Sequence, residues 1–118
     1  MIDEKVKKWV IKAIEDFTAA EKLLSFSDKE IVTSAVCFHC QQFVEKILKA
    51  YLASTGIDFG RTHNLRYLLK LCSDNDADFS KLEVGSMTFY AVDIRYPDEF
   101  YVPSVDEAHE CFNLSLKI

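Results

Sequence analysis

Residues 31–55, IVTSAVCFHCQQFVEKILKAYLAST, constrain this chain more than any other stretch. They read as one long helix that is apolar around most of its circumference. Ala35, Val36, Phe38, Phe43, Val44, Ile47, Leu48, Tyr51 and Leu52 supply that surface. A surface helix carries one apolar stripe, whereas a helix apolar nearly all round sits centrally and is surrounded. The rest of the chain must therefore wrap around it. One narrow polar line interrupts the apolar surface: His39, Gln42, Lys46 and Lys49, at steps of three, four and three that stack on one face. Such a line can face a cleft, a partner subunit or plain solvent. His39 and Gln42 lie nearer the middle of the apolar run than its edge, so burying them requires hydrogen-bond partners. Arg61 and His63 can supply donors if that end of the molecule folds over.

The flanking segments have the periodicity needed to cover the central helix. Over residues 3–25, Val6, Trp9, Val10, Ala13, Ile14, Phe17, Ala20 and Leu24 step by three and four, which predicts an amphipathic first helix. A short connection to the central helix makes the two antiparallel. Ser27-Asp-Lys-Glu30 reads as a capping box that starts the second helix, and Gly56 suits the left-handed position past its end. Thr62 is the expected cap of a third helix over about 63–73, with Leu65, Leu68, Leu69 and Cys72 inward and Arg66 and Lys70 outward. The Asp- and Asn-rich residues 73–79 read as a loop. A second capping box, Ser80 to Glu83, predicts a fourth helix with Leu82, Phe89, Tyr90 and Ile94 inward, ended by Pro97. Residues 97–103, between two prolines, read as an extended loop. A third box, Ser104 to Glu107, opens a last helix carrying Val105, Ala108, Cys111, Phe112, Ser115 and Ile118. No cap follows Ile118, so that helix either continues or frays. The expected fold is all-α: a single domain over 1–118, an up-and-down bundle of two long antiparallel helices and about three shorter ones.

Bulk properties narrow the function classes. At 49% apolar residues, with 3 Gly and 2 Pro, the chain is neither loop-rich nor disordered. Its 118 residues bury roughly 60–70% of the unfolded surface, enough for a core without staples. The net charge of −5 opposes nonspecific nucleic-acid binding, so any such contact needs a local basic patch. Cys37, Cys40, Cys72 and Cys111 are scattered through apolar helical patterns, as reduced, packed thiols of a cytosolic protein would be. Neither an apolar leader nor an 18-residue apolar run occurs, which argues against secretion and membrane spanning.

Motif chemistry is sparse. The Cys37-Phe-His-Cys40 pair lacks the two further ligands of a structural zinc and sits mid-helix, not at the helix start a redox pair requires. No GxxxxGK[ST], GxGxxG or HExxH pattern is present, and neither metal nor cofactor is expected. Arg95, beside Tyr96 and before the Pro97 stop, favours the helix dipole at that end. It also suits an anion-binding or interface anchor.

The residues His39-Cys-Gln-Gln42-Phe-Val-Glu45-Lys46-Ile-Leu-Lys49-Ala50, then Thr62-His63-Asn-Leu65 with Leu68-Leu69, then Arg95-Tyr96-Pro97, together resemble the HEPN domain, in order and at the expected spacing. The resemblance spans nearly the whole chain. It implies a helical bundle, usually homodimeric, of prokaryotic cytoplasmic proteins often encoded beside a minimal nucleotidyltransferase and acting with it as a toxin–antitoxin pair. Some members are viewed as nucleotide-binding modules; many others are metal-independent ribonucleases. The expected phosphate-binding set is His39, Gln42, Lys46, Arg61, His63, Arg95 and Tyr96. The ribonuclease subset carries an Arg followed by a His after four to six residues. Here those positions after Arg95 are Phe100, Tyr101 and Val102; after Arg61 they are Arg66, Tyr67 and Leu68; after Arg66 they are Leu71, Cys72 and Ser73. RNA cleavage by that route would have to substitute His109, brought back onto Arg95. The expectation is therefore an interaction module that binds a minimal nucleotidyltransferase and a nucleotide or RNA phosphate. The alternatives are a ribonuclease toxin using Arg95 and His109, or a purely structural dimer whose interface is built on apolar faces and the Tyr96–Tyr101 aromatics.

Overall fold

A computed structural model describes residues 4–26, 31–82 and 104–116. The described elements are α1 (Glu4–Leu24), α2 (Thr33–Ser54), α3 (Leu65–Asn75), a short 3-10 helix (Ala77–Lys81) and α4 (Val105–Leu116). The protein is an all-α bundle, as its periodicities predict. The expected fourth helix and the 97–103 loop lie outside the described residues.

α2 is the central element, and its buried register explains why. Thr33, Val36, Cys37, Cys40, Gln41, Val44, Glu45, Leu48, Lys49 and Leu52 recur at steps of three, one and three along the helix and are all buried. That stripe is broad enough to receive α1, α3 and α4 together. Val36, Val44, Leu48 and Leu52 are completely covered, and Leu65 and Leu68 of α3 join them. Each fully buried aliphatic side chain of this kind contributes about 1.5–3 kcal/mol. Phe43 and Tyr51 of α2 are half-buried and pack against this core.

α1 and α2 are antiparallel: Trp9 lies near Lys49, Asp16 near Lys46, and Phe17 near Phe43. The buried face of α1 is Ala13, Asp16 and Ala20, not the full apolar stripe. Ile14 is 55% exposed, a correction to its predicted inward position. The two alanines bring the helices close, and the contact line runs through Asp16, which turns Ile14 outward. Phe17 anchors the third helix of the seam by stacking on Phe112 of α4, with ring centroids 5.3 Å apart and planes at 15°.

Helix ends show where local sequence decides. α2 closes as expected on Gly56, at φ +75°, with the Ile57 amide donating to the Leu52 carbonyl (3.0 Å) and the Gly56 amide to Ala53 (3.2 Å), the paired bonds of a Schellman turn. The third capping box also forms as predicted: the Glu107 amide donates to Ser104 Oγ (3.1 Å) and the Ser104 amide to Glu107 Oε1 (3.3 Å). Elsewhere the ends shift. α2 begins at Thr33, after Val32, which provides no side-chain cap, and the Ser27 box lies outside the described residues. α3 is capped by Asn64, not Thr62: Asn64 Oδ1 accepts from the Tyr67 amide, while Thr62 Oγ1 accepts from Asn64 itself. The Asp-rich 73–79 segment is not all loop. α3 runs to Asn75, and Asp76 then caps the 3-10 helix by accepting from the Asp78 amide. Ser80 sits inside that 3-10 helix and donates to the Ala77 carbonyl; Glu83, the other half of the second expected capping box, lies outside the described residues.

Candidate functional site

The polar line on α2 divides into two clusters, each organised by a carboxylate that α1 or α2 buries. In the first, Asp16 of α1 faces α2. His39 Nδ1 lies 2.8 Å from Asp16 Oδ1, and Lys46 Nζ donates to Asp16 Oδ2 at 2.6 Å. His39 and Lys46 are seven residues apart, so they sit on one helix face and a single carboxylate can bridge them. A carboxylate accepts, which places the imidazole proton on Nδ1 and leaves Nε2 on the opposite edge of the ring.

In the second cluster Glu45, 2% exposed, is the hub. Lys49 Nζ donates to Glu45 Oε2 at 3.1 Å from the next turn of the helix. Gln41 Nε2 donates to Glu45 Oε1 at 2.9 Å, and Gln42 Nε2 donates to Gln41 Oε1 at 2.6 Å. His63, from the segment between α2 and α3, brings Nδ1 to 3.0 and 3.1 Å from the two Glu45 oxygens. The Asn64 cap makes this contact available. Because α3 starts only at Leu65, His63 stays outside the helix and can reach across to α2. Lys49 is also buried, and its ammonium lies 5.4 Å from the Trp9 ring centroid and 5.6 Å from that of Phe59. Two aromatic faces and one carboxylate thus replace its hydration shell. Among the described residues, every buried side-chain N or O atom has a hydrogen-bond partner.

His39 and Lys46 thus meet on Asp16, while Gln42 and His63 join the Glu45 network. Lys49 belongs to the interior, not to a solvent face. Arg61 is exposed in the segment between α2 and α3. Arg95 and Tyr96 lie outside the described residues, and His109 is exposed on α4. Sequence reasoning missed the three residues that organise the site: Asp16, Gln41 and Glu45. Their signal was positional. Asp16 falls in step with Ala13 and Ala20 of the α1 stripe, and Gln41 and Glu45 fall in step with Cys37, Val44, Leu48 and Leu52.

The thiols are structural. All four cysteines are free and buried. Burial pushes the Cys40 thiol up to about 12 and Cys72 to about 11. The hydrogen bond with Cys111, then burial, raises Cys37 as well. Cys72 Sγ donates to the Leu48 carbonyl at 3.8 Å. Among the described residues no group of three His, Cys, Asp or Glu side chains is placed to hold a metal ion, and no helix is long and apolar enough to cross a membrane.

No curated protein and no solved structure matches the chain. A family model for the HEPN domain matches residues 6–118, a span that takes in α1 from Val6 onward, the remaining helices and both carboxylate clusters. The chain belongs to the HEPN family.

Proposed function

We propose that this HEPN protein is an interaction module: a homodimeric, cytoplasmic partner of a minimal nucleotidyltransferase in a toxin–antitoxin-type pair, which also engages the phosphate of a nucleotide or RNA. The phosphate-binding set is His39, Gln42, Lys46, Arg61, His63, Arg95 and Tyr96. The observation that carries this reading is the pair of carboxylate-held histidines. Asp16 fixes His39 and Glu45 fixes His63 through Nδ1, and both rings remain partly exposed, His63 more than His39. A histidine fixed in this way presents Nε2 without further ordering: that nitrogen accepts from a partner's donor in the neutral ring and donates to a phosphate oxygen in the imidazolium form. Lys46, 22% exposed in its side chain, adds positive charge beside it.

The test is an affinity pull-down of the tagged protein from native lysate, with bound protein and bound nucleic acid analysed separately. A stoichiometric nucleotidyltransferase, lost on Lys46→Ala or Arg95→Ala, is the expected outcome. If neither substitution changes partner or ligand binding, the assigned set is wrong.

The same carboxylate–histidine pairs also give the ribonuclease reading a footing, because an oriented imidazole is an acid–base group. The absent Arg–His spacing keeps that reading second. Metal-independent cleavage of mixed RNA, abolished by Arg95→Ala or His109→Ala, would reverse the order.

A further inference from the structure

The outer side of α1 carries an apolar stripe that the bundle does not cover. Ala13, Asp16 and Ala20 mark the buried face of the helix. On the opposite side, at steps of four, three and four, run Lys7, Ile11, Ile14 and Thr18, all exposed. Ile11 is 48% exposed and Ile14 55%. A single exposed apolar side chain is ordinary, but two neighbours on one helix face form a stripe. The alternation of three and four is that of the seam of a coiled coil, kept here over about 17 Å of helix.

The charges beside the stripe specify what covers it. One flank carries Glu4, Lys8, Glu15 and Lys22, all exposed. Their signs alternate along the helix, so the flank read backwards is its own complement. Such a surface matches a second copy of itself laid antiparallel. A two-fold axis between Ile11 and Ile14 sets each Ile11 against Ile14 of the second copy, and each Lys7 against Thr18. On the flank, Lys8 then comes beside the second copy's Glu15, and Glu4 beside its Lys22, each pair occurring twice by symmetry. Lys12 already pairs with Glu15 Oε2 at 3.4 Å on the surface, and a carboxylate accepts more than one donor. A parallel arrangement would instead set this flank against Val10 and Phe17, which carry no charge. The outermost layer places Glu4 opposite Glu21, which ends the seam.

We propose that two copies of this chain pair through the outer face of α1, in a short antiparallel seam centred between Ile11 and Ile14. The inference rests on the homodimer reading above and adds to it the face, the direction and the register of pairing. Two isoleucines per chain make a seam smaller than a standard interface of about 800 Å² per partner. The expected dimer is therefore weak and exchanging, with a dissociation constant of about 1–100 µM.

Sedimentation velocity of the full chain at low ionic strength, up to about 500 µM protein, reads the monomer–dimer equilibrium. Ile11→Gln/Ile14→Gln puts good helix formers at two exposed positions. It should weaken dimerisation at least about tenfold and leave the helical circular dichroism unchanged. Lys8→Glu alone and Glu15→Lys alone should each weaken it about tenfold, because like charges then meet twice. Mixed in equal amounts, these two variants present opposite charges to one another and should pair about as tightly as the wild type. Recovery on mixing also shows that both variants are folded. If the wild type dimerises and the glutamine variant or either charge variant does so equally well, the face is wrong and the homodimer reading survives on another surface. Charge variants that weaken pairing and fail to recover on mixing overturn the antiparallel register, and with it the proposal. A wild type that stays monomeric throughout overturns both the face and the homodimer.

Discussion

Glu45→Gln tests the buried cluster with little change in shape. The side chain it alters is 3% exposed, and the Lys49 side chain that depends on it is 6% exposed. With the carboxylate gone, the Lys49 ammonium keeps the rings of Trp9 and Phe59 and a neutral amide oxygen in place of its counter-charge. Removing one member of a buried ion pair destabilises by about 3–5 kcal/mol, and a hydrogen bond from the ammonium to the amide oxygen offsets about 1 kcal/mol of that loss. The new amide also brings N–H donors towards Gln41 and His63, which donate to Glu45 in the wild type. The expected net loss is about 2–4 kcal/mol, against a total stability of roughly 6–18 kcal/mol for a domain of this length. Urea unfolding followed by Trp9 fluorescence and far-UV circular dichroism measures it, with an unchanged m-value as the control for a two-state comparison. The double variant Glu45→Gln/Lys49→Met removes both charges and should return to within about 1 kcal/mol of wild type. The reasoning is refuted if Glu45→Gln lies within about 1 kcal/mol of wild type, or if the double variant is no more stable than the single.

Two further outcomes follow from the geometry. A Cβ added at Gly56 would meet nothing within 4 Å, so Gly56→Ala should destabilise by backbone strain alone, about 1–2 kcal/mol in the same assay, and a stabilised variant would contradict the left-handed assignment. The raised thiols bear on alkaline pH. The unfolded chain releases these protons from about pH 9, whereas the folded chain holds them until about 11 at Cys72 and about 12 at Cys40. Their contribution to stability is therefore full below pH 9 and declines as pH rises through that window. At pH 8, an aromatic disulfide reagent should label the native protein slowly and the urea-unfolded protein at once; rapid native labelling would show that the thiols are not packed as described.

Much of the fold could be read along the chain because its information is local. α1 and α2 announce themselves by periodicity, and the Ser104–Glu107 box and Gly56 mark ends whose bonds span only a few residues. Thr62 and Asn64 show the limit. Both are good caps two positions apart, and the choice depends on where Leu65 must enter the core. The candidate site was legible as a line and illegible as a network. His39, Gln42 and Lys46 stand out because they interrupt an apolar helix. Asp16, the partner of His39 and Lys46, is 23 and 30 residues away from them, and no period within one helix encodes a contact between two. Asp16 and Glu45 were passed over because a carboxylate on a stripe counts against burial until its cation is known. The Trp9–Phe59 contact was hidden for the same reason, since it joins the first helix to a turn some 50 residues later.

Lys49 has a consequence for how the molecule opens. Its ammonium is the point at which α1, α2 and the turn after α2 converge: Trp9 from the first, Glu45 from the second and Phe59 from the third all lie against it. None of the three can leave alone without exposing a charge that the other two cannot fully screen. Fraying of the start of α1 and loosening of the 57–60 turn are thereby coupled into one cooperative event, although the two segments are distant in the chain. The end of the bundle that carries His63 should therefore protect its backbone amides as one unit in hydrogen exchange.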